Sequence, residues 1–132
     1  MIDLVVDASV AARAVTATSA RDRALRGRLT SSACHAPHLI DAEVGNALRK
    51  QVAAGAIEAD TAEAGLRVLE PLIATRYPHT AFVRPAWKLR HNLSYYDALY
   101  AALAARLGFP LLTADERLAR APGLPCEVEV IS

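Results

Sequence analysis

The chain has 132 residues and a mass of 14.1 kDa, with 53% hydrophobic and 22% charged residues. That supports a single globular domain with its own core, leaves no room for a second, and excludes intrinsic disorder. Fifteen basic residues against fourteen acidic ones give a formal charge of +1, which excludes a polybasic coat that holds nucleic acid by bulk charge, though not a local basic patch.

Ile2 to Val6 reads as a strand covered on both faces, broken only by Asp3. Asp7-Ala8-Ser9 ends it, and Val10 to Val15 follows as a helical turn or two. Ser19 to Leu29 is a second helix, with Ala20, Ala24 and Leu25 expected inward. Cys34-His35-Ala36-Pro37 is a weak strand or loop. Leu39 to Val52 is a helix stopped by Gly55. Asp60-Thr61-Ala62-Glu63 has the form of a capping box opening another helix, which Pro71 should break or kink. Ala81-Phe82-Val83 is expected as a short strand, and Pro85 suits the first turn of a helix reaching about His91. Ser94 opens a helix to Leu107, closed by Gly108. Leu111-Leu112-Thr113 is a strand, Asp115 to Leu118 starts a short helix, and Glu127 to Val130 alternates as an edge strand does. Strands alternating with helices predict an α/β sandwich on a mainly parallel sheet, one domain over residues 1–132.

Two cysteines without paired spacing, Cys34 and Cys126, argue against a disulfide framework and a CxxC redox motif. The N-terminus is too short and too acidic for a signal peptide. No apolar run reaches the roughly 18 residues of a membrane span. A soluble cytoplasmic protein is expected.

The positions of the acids carry the chemical information. Asp7 directly follows the first strand, and Asp115 follows the strand of Leu111 and Leu112 by a short step. In a parallel α/β sheet the carboxyl ends of the strands form the ligand-binding edge, so both aspartates should face one rim. On a wheel of about 100° per residue, Glu43 lies among Leu39, Ile40 and Ala47, on the core-facing stripe. Asp41 falls opposite, as a first-turn acid. Asp97 lies beside Tyr100, Ala101 and Ala104. Two unit charges about 5 Å apart repel by roughly 3 kcal/mol at an effective dielectric near 20. Four converging carboxylates need a cation or raised pKa values, and an all-oxygen set suits Mg²⁺ or Mn²⁺ rather than zinc. Each acid also has a plainer reading. Asp7 and Asp115 can cap helices, Ser94-Tyr95-Tyr96-Asp97 fits a capping box, and Glu43 can pair with a distant arginine.

Four segments in series resemble the motifs of PIN-domain ribonucleases: Leu4 to Val10, Leu39 to Leu48, Tyr96 to Ala104, and Leu112 to Leu118. They span essentially the whole chain, and its length without appended domains is similar to the VapC-type toxins of type II toxin–antitoxin pairs. The resemblance implies a three-layer α/β/α sandwich and Mg²⁺- or Mn²⁺-dependent endoribonuclease activity in which metal-activated water hydrolyses the RNA phosphodiester bond. It implies that Asp7, Glu43, Asp97 and Asp115 are the catalytic and metal-holding quartet, with Ser9, Asn46 and Thr113 as supporting polar residues. Some relatives carry a further acid two positions after the fourth aspartate, where this chain has Arg117. A homodimer and a small VapB-type antitoxin blocking the site are the implied partners. The alternatives are a PIN-fold RNA-processing nuclease without antitoxin and a non-catalytic RNA-binding module.

Cations for RNA are sought at Arg13, Arg21, Arg23, Arg26 and Arg28, and at Arg84, Lys88 and Arg90, any of which can equally be a solvated helix face. Trp87, Tyr95 and Tyr96 could stack on bases but are expected to pack in the core or at its rim. Cys34, His35 and His38 lack a fourth zinc ligand. His79 and His91 are expected at the surface. A receiver-like phosphoacceptor domain also gathers aspartates at a sheet rim, but it needs a late lysine, and none follows Lys88. A hydrolase with an aspartate nucleophile wants a second acid two residues after Asp7, where Ser9 stands.

Overall fold

The computed structural model describes all 132 residues. Five strands form one sheet in the order β3-β2-β1-β4-β5, every neighbouring pair parallel: β1 Asp3–Val6, β2 Ala33–Pro37, β3 Ile73–Tyr77, β4 Leu111–Thr113 and β5 Val128–Val130. Seven helices cover it: α1 Ala8–Thr16, α2 Ala20–Thr30, α3 Leu39–Ala53, α4 Ala59–Leu72, α5 Val83–Lys88, α6 Tyr95–Leu107 and α7 Glu116–Ala119. Helix α1 packs on α2, α3 and α4, while α6 packs on α5 and against β1, β2 and β4. The expected α/β/α sandwich is the one observed.

Burial explains why β1 reads as a continuous apolar run. Leu4, Val5 and Val6 are all buried, so both faces of the strand are covered. Helix α6 is buried without interruption from Ala98 to Ala104, and its alanines let it lie close on the sheet. Gly65 does the same for α4, because a Cβ there would stand 3.2 Å from Val15 Cγ2 on α1.

The strand order reverses at β1. The chain first adds β2 and β3 on one side of it, then β4 and β5 on the other. Parallel sheets open a crevice at the carboxyl ends beside such a switch point. Asp7 leaves β1 there, its N–H donating to the Leu112 carbonyl at 3.1 Å, and Thr113-Ala114-Asp115 leaves β4 alongside.

Several expectations need correction. Strand β3 was not anticipated. It begins directly where α4 ends, with no turn residue between, and apart from Ile73 its side chains are exposed or half-buried. The strand expected at Ala81-Phe82-Val83 is instead a 3₁₀ turn, His79–Ala81, running into α5. Only Phe82 of that trio is buried. The capping box at Asp60 does not form, because α4 starts earlier, with Glu58 at the cap position and no side-chain cap bond. On α2 the inward residues are Leu25 and Leu29, while Ala20 and Ala24 are exposed. Pro71 falls in the last turn of α4, which ends one residue later.

Candidate active site

Of the 35 buried residues only Asp7 carries a charged side chain, and it bonds to Thr113, which is buried as well. The Thr113 hydroxyl donates to Asp7 Oδ2 at 2.5 Å, and the Ser9 hydroxyl donates to Asp7 Oδ1 at 2.5 Å. The Val10 N–H donates to Oδ1 at 3.1 Å, so Asp7 is also the N-cap of α1. The same hydroxyls tie in the β4–α7 turn: Ala114 N–H donates to Ser9 Oγ at 2.9 Å and Asp115 N–H donates to Thr113 Oγ1 at 3.0 Å. One carboxylate thus fixes both strand ends.

Glu43 comes in from α3, half-buried, as the helical wheel predicts. Its partner is not an arginine. The Tyr100 hydroxyl donates to Glu43 Oε1 at 2.7 Å. Asp97 stands one turn before Tyr100 on α6, and its own N–H donates to Ser94 Oγ at 3.1 Å, the helix cap expected from the sequence. Asp115 caps α7 through Arg117 N–H, at 2.9 Å, and lies 3.6 Å from Arg117 Nε.

The acids sense one another. Burial raises the pKa of Asp7, and nearby Asp97 raises it further against the lowering bonds from Ser9, Thr113 and Val10. Burial raises Glu43 as well, opposed by the Tyr100 bond and reinforced by Asp97 and Asp7. Asp97 is raised by burial and by Asp115, and lowered by the Ser94 bond and by Arg117. The Tyr100 phenol is held strongly protonated, first by burial and then by Glu43. It therefore acts only as a donor to Glu43.

The donor set is all oxygen, three of its members are desolvated and mutually repelled, and the only ion pair to any of the four is Arg117 on Asp115. That chemistry fits a hard divalent cation. The carboxylates are not already drawn into a cage, since no three acidic, histidine or cysteine side chains stand at metal-holding distances.

The other candidates lie elsewhere. Asn46 is exposed and its Oδ1 accepts from Arg49 at 3.1 and 3.2 Å, so no bond joins it to the acids. Arg13 pairs with Asp22, Arg26 donates to the Ala14 and Val15 carbonyls at the end of α1, and Arg28 grips Glu129. Trp87 and Tyr96 are 57% and 59% exposed, and Arg90 stacks on Trp87 at 4.8 Å, so neither ring is in the core. The Cys34 thiol bonds the Leu29 carbonyl, while His35 bridges Asp3 and Tyr77. His79 is half-buried rather than exposed: its Nε2 accepts from Leu39 N–H at 3.0 Å at the start of α3. Sequence reasoning did not single out Tyr100 as part of the site. The available signal was its position three residues after Asp97, on the same helical face.

Fold and site together define an α/β/α domain with an acidic crevice at the switch point of a parallel sheet. The PIN domain model matches residues 4–124. Ribonuclease VapC1 of Mycobacterium tuberculosis is 49% identical over 132 residues, covering 99% of each chain. The crystal structure of VapBC2 from Rickettsia felis, bound to a DNA fragment from its promoter, has a TM-score of 0.69 at 12% identity, covering 99% of this chain and 100% of that one. VapC20 of Mycobacterium tuberculosis, a sarcin-ricin loop cleaving toxin, has a TM-score of 0.64 at 19% identity, covering 89% and 95%. At these identities the two structures speak for the fold. The chain belongs to the VapC ribonucleases of the PIN-domain family.

Proposed function

We propose that the chain is a Mg²⁺- or Mn²⁺-dependent endoribonuclease that acts as the toxin of a toxin–antitoxin pair. The observation that carries this reading is Asp7: a charged group buried at the crevice, held by two hydroxyls and a backbone N–H, and repelled by Asp97. Burying such a charge is costly without a counter-charge, and a carboxyl perturbed by burial and a neighbouring acid in a cleft marks a functional site. Asp7, Glu43, Asp97 and Asp115 would hold the cation. When bound, a divalent ion makes a coordinated water acidic near neutral pH and neutralises phosphate charge.

The remaining roles belong to the chain. Ser9 and Thr113 fix the Asp7 carboxylate, and Tyr100 fixes Glu43 by donating to Oε1. The Asp97 carboxylate has only the Ser94 hydroxyl beside it as a hydrogen-bonding side chain, and we assign it the role of orienting the attacking water. No carboxylate is needed as a covalent nucleophile, and by the family resemblance the products carry 5′-phosphate and 3′-hydroxyl ends. Exposed Tyr96, next to Asp97, is placed to stack on a base.

The reading extends to partners and location. R. felis VapBC2 pairs a VapC protein with VapB, and a VapB-type antitoxin is the inhibitor proposed here. The apolar groove between α3 and α4, about 460 Å³ and lined by Leu48, Val52, Ala62 and Leu66, offers a face for homodimer or antitoxin contacts. No helix is long and apolar enough to cross a membrane, and the proposed place of action is the cytoplasm.

The test is cleavage of a structured RNA with Mg²⁺ or Mn²⁺, with EDTA, and with Asp7→Asn. Cleavage is expected only in the first case, and cleavage that survives EDTA overturns the metal-dependent reading. Growth arrest on expression, relieved by a co-expressed neighbouring antitoxin, separates the toxin from a housekeeping nuclease.

A further inference from the structure

The crevice is acidic, and its substrate carries a negative charge on every nucleotide. A cation on the chain must therefore help seat the backbone. Several arginines are committed elsewhere, and Arg21, Arg23, Arg84 and Lys88, which make no ion pair, do not line the cavity beside the acids. Arg13 is paired with Asp22, Arg28 with Glu129, and Arg76 with Asp41.

Arg117 is different. It is the only basic side chain ion-paired to any of the four acids, through Nε at 3.6 Å from Asp115 Oδ1. Its side chain is 89% exposed, and no hydrogen bond occupies its guanidinium. Its base is nevertheless fixed. The backbone N–H is held by Asp115 at 2.9 Å, and the next residue, Leu118, is buried and anchors α7. The side chain lines a polar cavity of about 290 Å³ together with Asn92, Ser94, Asp97 and Asp115. A guanidinium with free N–H groups, fixed at its root and facing a cavity beside the acids, has the form of a phosphate fork.

We propose that Arg117 is a substrate-binding residue whose guanidinium grips an RNA phosphate adjacent to the one that is cleaved. The proposal rests on the ribonuclease reading of the same site and adds to it. It gives a function to the position where, by the family resemblance, some relatives carry a further acid. The opposing account makes Arg117 an internal counter-ion that competes with the metal for Asp115.

The probe is a fluorescein-labelled single-stranded RNA, its binding followed by anisotropy in Ca²⁺ at several salt concentrations, with cleavage in Mg²⁺ followed on gels. Mn²⁺ binding without RNA is measured in parallel. Arg117→Ala is expected to raise the RNA Kd by about tenfold and to reduce the slope of log Kd against log salt by about 0.7, one phosphate contact's worth for a single strand. Arg117→Lys should restore the salt slope and only part of the affinity, because it keeps the charge and loses the fork. Melting of both variants should match the wild type, since the side chain is exposed.

Wild-type protein that binds and cleaves RNA while Arg117→Ala keeps its Kd and salt slope overturns the proposal and leaves the ribonuclease reading standing. A tenfold gain in Mn²⁺ affinity with unchanged RNA binding overturns it in favour of the counter-ion. Wild-type protein that neither binds nor cleaves RNA removes both readings together.

Discussion

Tyr100→Phe isolates the one hydrogen bond that positions Glu43. The ring stays, so the packing of α6 is kept, and the hydroxyl at 2.7 Å from Oε1 is lost. A hydrogen bond to a charged acceptor is worth about 1.5–3 kcal/mol, offset in part because a buried hydroxyl no longer has to be desolvated. A net loss of about 1–2 kcal/mol corresponds to roughly 4–8 °C in Tm for a chain of this size. The chemical effect is more specific. Burial, Asp97 and Asp7 already raise the pKa of Glu43, and Tyr100 is the partner that opposes them. Without it the carboxyl holds its proton to higher pH, where it cannot serve a cation. Mn²⁺ affinity at neutral pH should fall about 10–100-fold, as for other groups that orient a metal ligand. The deficit should shrink as pH rises, and the acidic limb of the rate profile should move upward. Calorimetric Mn²⁺ titration at several pH values, with RNA cleavage on the same samples, reads all three. A folded variant whose Mn²⁺ affinity and pH profile match the wild type refutes the assignment of Tyr100 to the site.

Asp7→Asn should fold within about 1 kcal/mol of the wild type in EDTA, because a lost charged acceptor is offset by relief from burying a charge and from Asp97; it should show no cleavage, read on gels. Saturating Mn²⁺, at about 100 times its Kd, should stabilise the wild type by about 2.7 kcal/mol, roughly 10 °C in a melting scan, and leave Asp7→Asn unmoved. The pH dependence has a definite sign. The folded-state pKa values of Asp7, Glu43 and Asp97 are raised, so between the unfolded carboxylate range and those values the folded protein binds more protons. Their contribution to stability is present at low pH and lost as pH rises through that window. Tm in EDTA, compared between wild type and Asp7→Asn, should show a decline with pH that is shallower in the variant. Thr113→Val, nearly isosteric and buried, should cost about 1–3 kcal/mol in denaturant titration, since Asp7 Oδ2 and the Asp115 N–H both lose their partner.

The sheet and most helices were legible because burial writes a simple code. Leu4-Val5-Val6 is apolar without a break because both faces are covered, and Ser94 with Gly108 marks the two ends of α6 by local backbone chemistry. Strand β3 was not legible, because an edge strand with one buried residue leaves almost no pattern, and its pairing with β2 is supplied by the rest of the sheet. The convergence of Asp7 and Asp115 followed from their positions after two strands, which proved to be neighbours at the switch point. Glu43 was read correctly as inward, but its partner was sought among arginines. A tyrosine contributed by another helix is a tertiary fact, 57 residues away in sequence. Arg117 was read only as a missing carboxylate, because its free guanidinium and the cavity beside it exist only in three dimensions.

The plain reading of the acids and the proposed functional one fit a single arrangement. Asp7 and Asp115 are helix caps, and Asp97 sits in the first turn of a helix capped by Ser94. A cap fixes a carboxylate by using one lone pair on one oxygen, and an ionised carboxylate has about four. Asp7 spends three, on Val10, Ser9 and Thr113. Glu43 spends one on Tyr100, Asp115 is held through Oδ1 alone, and Asp97 has only the Ser94 hydroxyl beside it. The most buried acid is therefore the most tightly held and the others keep oxygens free, so rigidity is concentrated at the base of the crevice. On the proposed function, Asp7 is the fixed point of the site and needs little reorganisation when a cation binds. The outer carboxylates, on the same proposal, keep oxygens free to close on the cation.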